Sequence, residues 1–100
     1  TKTSDRQWFV YLLRCADDSL YTGITNDVKR RCEQHEAGTA SRYTRGRRPT
    51  CLVYQETHAS RSMALKRELA IKALSRNEKM LLIQSGAADN PAVHSLHAEE

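Results

Sequence analysis

The first run of the chain, Trp8-Phe9-Val10-Tyr11-Leu12-Leu13-Arg14-Cys15, is aliphatic and aromatic at both parities. It predicts a strand covered on both faces and central in its sheet. Ala16-Asp17-Asp18-Ser19 is a turn cluster, and Leu20-Tyr21-Thr22-Gly23-Ile24-Thr25 is a second strand. So short a connection makes the pair an antiparallel hairpin. Gly23 inside the second strand marks a bulge or a close backbone approach. Thr25 or Asn26 can cap a helix that runs to about Ala37 and stops at Gly38. Residues 38–50 read as a long loop, and Cys51-Leu52-Val53-Tyr54-Gln55-Glu56 as a third strand. Ser60 caps a helix to about Leu74, and Ser75-Arg76-Asn77-Glu78 is a capping box for a last helix ending near Gly86. From Ala87 to Glu100 the pattern has no period, which predicts a mobile tail. The expected fold is α/β (α+β): a small three-stranded mixed sheet with an N-terminal antiparallel hairpin, helices packed around it, and the order β-β-α-β-α-α. One domain over residues 7–86 is expected, since 100 residues support one modest core.

No apolar run approaches the ~20 residues of a membrane span, and Thr1 to Arg6 lacks the apolar stretch of a secretory signal. Three cysteines, Cys15, Cys32 and Cys51, are odd in number and widely spaced, as expected of reduced thiols in the cytoplasm. Cys32-x-x-His35 has the spacing of half a zinc site, but no ligand quartet is spaced to complete it. The net charge of +4 is modest, and its distribution says more. Residues 29–79 hold thirteen Lys/Arg against five Asp/Glu, while the flanks hold three against seven. A basic middle between acidic ends suits a polyanion partner, and a solvated mixed-charge surface is the plainer explanation.

On the first helix, Arg31 and His35 stand at i and i+4 and share a face. Arg31 either snorkels over the sheet or meets an anion, and His35 can be structural or functional. On the next helix, Glu68 lies inside the apolar arc of Ala64, Leu65, Leu69 and Ile71. Glutamate is seldom buried unpaired, so an ion pair with Lys72 and a functional carboxylate both remain open. Arg42, Arg45, Arg47 and Arg48 crowd seven loop positions with Tyr43 among them. Planar guanidinium forks grip phosphates and a tyrosine face stacks on bases, which predicts nucleic-acid contact through these five residues.

With Val10-Tyr11 followed by Tyr21-Thr22-Gly23, Ile24 to Arg31 and then His35, the chain resembles the GIY-YIG nuclease superfamily, and within it the small stand-alone bacterial YhbQ-like branch. The resemblance extends from about Trp8 to Ile83 and takes in Tyr43 to Pro49 and Leu74-Ser75-Arg76. It implies that Tyr11 and Tyr21 are the two motif tyrosines, Arg31 the catalytic arginine, Glu68 the single metal-binding carboxylate, and His35 a supporting residue. The first motif reads Phe9-Val10-Tyr11 in place of Gly-Ile-Tyr and keeps the tyrosine that bears the side-chain chemistry. Many members carry an asparagine after the glutamate; Asn77 follows at a shorter spacing, and no role is carried over to it. The implied function is a metal-dependent endonuclease with one Mg2+ or Mn2+, hydrolysing phosphodiesters of nucleic acid, DNA above all and with selectivity for substrate structure left open, in repair or processing. Two other classes remain: a nucleic-acid-binding module without catalysis, and a domain whose arginine loop meets an acidic protein.

Overall fold

In a computed structural model, residues 7–86 are described, so the expected tail from Ala87 lies outside the described residues. Strands β1 (Trp8–Arg14) and β2 (Leu20–Thr25) form the expected hairpin. Its turn closes through Cys15 N to Ser19 O (2.9 Å) and Asp18 N to Cys15 O (2.8 Å). Asp18 sits at φ +70, a left-handed position that an aspartate tolerates, while Asp17 Oδ1 accepts from Ser19 N and Oγ. Strand β3 (Cys51–His58) pairs with the other side of β1, giving the order β2-β1-β3. Both pairings are antiparallel, so the expectation of a mixed sheet is corrected. The connection from β2 to β3 does cross over, but β1 lies between them and no parallel ladder forms.

The remaining elements are α1 (Val28–Ala37), α2 (Arg42–Arg45), α3 (Arg61–Lys72) and α4 (Arg76–Ser85). Asp27, one residue past the expected caps, starts α1 by accepting from Arg30 N, and Thr25 Oγ1 accepts from Asp27 N. Gly38 stops α1 in the left-handed region at φ +82, where a Cβ would be strained. Within the expected loop lies the one-turn helix α2, which Ser41 caps from Thr44 N. Ser60 caps α3, and Ser75 with Glu78 forms the expected capping box of α4. No helix among the described residues is long and apolar enough to cross a membrane.

Strand alternation sends Val10 and Leu12 to one face of the sheet and Tyr11 and Leu13 to the other. All four are at most 1% exposed, so β1 is covered on both sides as its sequence predicts. The first face holds the core: Val10, Leu12 and Tyr54 meet Ala64 and Ile71 of α3, with Leu74, Leu82 and Ile83 packed around them. Burying a side chain such as Ile71 contributes roughly 1.5–3 kcal/mol. The second face carries Tyr11 and is reached from α1 by a hydrogen bond between Tyr11 and His35. A central strand thus offers polar chemistry on one side while its other side anchors the fold.

Candidate active site

Tyr11 pairs across the hairpin with Gly23, and its ring lies directly over that glycine. A Cβ on Gly23 would sit 2.6 Å from the Tyr11 hydroxyl oxygen. The expected close approach is therefore made by a side chain, and the irregularity of the sheet falls elsewhere, between Leu12 and Leu13 on the β3 side. Tyr21, two residues before Gly23, shares the face of Tyr11, with ring centroids 6.4 Å apart. His35 of α1 stands edge-on to both rings, at 5.7 Å from Tyr11 and 5.2 Å from Tyr21. It is fully buried. Its Nε2 lies 2.8 Å from the Tyr11 hydroxyl and its Nδ1 2.7 Å from Thr44 Oγ1. With both ring nitrogens engaged, His35 has none to offer zinc, and no group of three or more metal-ligating side chains is gathered among the described residues.

Arg31, one turn before His35, supplies the charge beside this cluster. Its Nη1 donates to Gln34 Oε1 at 3.0 Å and its Nη2 approaches Ala40 O at 3.5 Å. Its Nε is buried without a partner among the described residues. Burial holds the His35 imidazole down to about 4, with the Arg31 charge acting in the same direction. Burial also raises the Tyr11 phenol well above its ordinary range, against the pull of Arg31. At neutral pH the cluster is therefore a neutral imidazole and a protonated phenol beside one standing cation.

The arginine loop is tied to this cluster rather than simply exposed. Tyr43 packs on Tyr21 at 5.8 Å, and the Arg47 guanidinium lies 3.9 Å over the Tyr43 ring. Arg47 also donates to Asp17 Oδ2 (2.9 Å) and Tyr43 O (2.9 Å). Arg48 donates to Arg45 O and Glu36 O, both at 3.0 Å. Arg47 and Arg48 thus fasten the loop to the hairpin turn and to α1, and one face of Tyr43 is already covered. Arg42 and Arg45 are exposed.

Glu68 stands on the stripe of α3 that carries Ala64 and Ile71, with its side chain 14% exposed. Its Oε2 meets Lys72 Nζ at 3.3 Å, and Lys72 is half exposed. Helix α3 packs on the Val10–Leu12 face, opposite the one from which Tyr11 and Tyr21 project. The described polar contact of Glu68 is with Lys72, while Tyr11, Tyr21 and His35 meet one another with Arg31 one helical turn before His35. Sequence reasoning missed Thr44, which is fully buried against His35. The signal was the Ser41-x-x-Thr44 spacing of a helix cap, hidden among the arginines.

Comparison with known proteins gives the family. The model of the GIY-YIG catalytic domain matches residues 7–81. A UPF0213 protein of Desulfotalea psychrophila is 46% identical over 94 residues, covering 93% of this chain and 86% of its own length. A UPF0213 protein of Staphylococcus epidermidis is 50% identical over 78 residues, covering 78% of this chain and 95% of its own. The solution NMR structure of a UPF0213 protein from Bacillus halodurans superposes with a TM-score of 0.56 at 39% identity, over 89% of this chain and 93% of that one. With the tyrosine of the first motif resting on the glycine of the second, and with these matches spanning most of its length, the chain belongs to the GIY-YIG nuclease superfamily, in its small stand-alone UPF0213 (YhbQ-like) branch.

Proposed function

We propose that the protein is a metal-dependent endonuclease of the cytoplasm that hydrolyses phosphodiester bonds of DNA, in repair or processing. The observation that carries this reading is the buried Tyr11–His35–Tyr21 cluster with the Arg31 guanidinium beside it, whose Nε is an orphaned donor. A buried donor without an acceptor is costly, and a non-bridging phosphate oxygen would satisfy it. Arg31 then clamps the phosphate and balances the charge that develops on it. Tyr11 holds the attacking water, and Tyr21 takes its proton.

Glu68 fits one hard cation. Its carboxylate is sheltered, is an oxygen donor, and has as its ionic partner an exposed lysine that can swing away. Mg2+ keeps most of its waters and is often bound through one or two carboxylates together with substrate phosphates, so a cluster of protein ligands is not required. When bound, Mg2+ or Mn2+ supplies charge neutralisation at the scissile phosphate and the leaving oxygen.

A second reading, a nucleic-acid-binding module without catalysis, is favoured by the Glu68–Lys72 pair, which gives the carboxylate a structural role. Incubating the purified chain with linear and branched DNA and RNA, with Mg2+ and with chelator, separates the two. Cleavage that the chelator abolishes supports the nuclease. Salt-sensitive binding without cleavage supports the module.

A further inference from the structure

His35 is neutral at physiological pH, so its single ring proton sits on one nitrogen, and the partner of each nitrogen decides which. The Tyr11 hydroxyl has His35 Nε2 at 2.8 Å as its described hydrogen-bond partner, and the charge that pulls on the phenol is the Arg31 guanidinium. A guanidinium only donates. If His35 donated from Nε2 as well, the Tyr11 proton would lack an acceptor in a site where Tyr11 is 1% exposed. The opposite arrangement gives the Tyr11, His35 and Thr44 protons an acceptor each. Tyr11 donates to Nε2, Nδ1 donates to Thr44 Oγ1 at 2.7 Å, and the Thr44 hydroxyl donates onward to Ser41 Oγ at 2.9 Å. Ser41 in turn caps α2 through Thr44 N at 3.1 Å, which fixes the Thr44 side chain.

We infer that Thr44 is a positioning residue that holds His35 in its Nδ1–H tautomer and thereby turns the Tyr11 proton inward, leaving the phenol oxygen to face the site as a hydrogen-bond acceptor. This rests on the nuclease reading above for its consequence. An acceptor oxygen orients the hydrogen of an attacking water and cannot donate to a phosphate oxygen, which leaves phosphate binding to Arg31. Removing the Thr44 oxygen would strand the Nδ1–H, favour the Nε2–H tautomer and reverse the Tyr11 hydroxyl.

The test uses the full chain, 15N-labelled, with long-range 1H–15N correlation spectra of the His35 ring. The unmutated protein is expected to show the Nδ1–H tautomer; an Nε2–H ring overturns the inference. Thr44→Val should move His35 to the Nε2–H form and lower Mg2+-dependent cleavage by about 10- to 100-fold, with DNA affinity kept. Thr44→Ser should restore both the tautomer and the rate. An unchanged tautomer or unchanged cleavage in Thr44→Val, or failure of Thr44→Ser to restore them, overturns it. If Thr44→Val does not fold, the spectra of the unmutated and Thr44→Ser proteins decide. Absence of cleavage in the unmutated chain would defeat the nuclease reading and leave the tautomer measurement standing on its own.

Discussion

Replacing Gly23 with alanine probes the contact on which the two tyrosine motifs converge. The added Cβ would lie 2.6 Å from the Tyr11 hydroxyl oxygen, 2.7 Å from Cζ and 3.0 Å from Cε1. Ordinary contact begins near 3.4 Å, so the ring must retreat by about 0.8 Å. It has no slack, because Tyr11 is 1% exposed and its oxygen is fixed 2.8 Å from His35 Nε2. Overpacking of this kind costs roughly 1–3 kcal/mol, and losing a buried hydrogen bond adds roughly 0.5–1.5. The expected destabilisation is therefore roughly 2–4 kcal/mol, a large share of a small domain's roughly 5–15. At about 4–8 °C per kcal/mol for a domain of this size, Tm should fall by roughly 8–32 °C. Thermal denaturation followed by circular dichroism reads this directly. The control is the same substitution in a Tyr11→Ala background, where the ring is gone and alanine should be neutral or slightly favourable in the strand. A loss below about 0.5 kcal/mol, or an equal loss in both backgrounds, would refute the reasoning.

Thr22, in the middle of the second motif, has a buried hydroxyl with no partner among the described residues, so Thr22→Val should raise stability by about 1 kcal/mol in denaturant titration. Arg47→Ala should lower both Tm and DNA affinity, since Arg47 holds Asp17 and Tyr43, whereas Arg42→Ala and Arg45→Ala, at exposed positions, should weaken only binding. For every phosphate left without its arginine, the salt dependence of binding should flatten by about one unit. The folded pKa of His35 lies near 4 against an ordinary 6.5, so between these values the unfolded chain binds a proton that the native one does not. Stability should thus be full above pH 6.5 and fall as pH drops through that window, by about 2 kcal/mol at pH 5. NMR titration should show the His35 ring neutral through most of that range, and a midpoint above 6 would refute it.

What the sequence made legible is what is decided within a few residues. The hairpin, Gly38 as a helix stop, the Ser60 cap and the Ser75–Glu78 capping box all depend on local spacing. The place of Glu68 within an apolar arc was legible for the same reason, as was the shared face of Arg31 and His35. The direction of β3 was not, because β1 was expected at the centre but whether β3 runs parallel or antiparallel to it is settled by distant packing. Nor was the engagement of Arg47 and Arg48, whose acceptors include the backbone carbonyls of Tyr43, Arg45 and Glu36. Any residue presents a carbonyl, so nothing in the sequence marks those that are used. The arginine loop read as a phosphate grip is therefore also a fastening of the fold.

Glu68→Gln, assayed for Mg2+-dependent cleavage alongside Tm and DNA affinity, tests the nuclease reading most directly. The amide keeps the shape of the side chain and loses the charge that a hard cation needs. If Glu68 holds the metal, cleavage should be abolished while Tm and affinity stay close to those of the unmutated protein. If Glu68 serves only as the partner of Lys72, Tm should drop and cleavage should persist. Cleavage retained near the unmutated rate would contradict the assignment of Glu68 as the metal-binding residue.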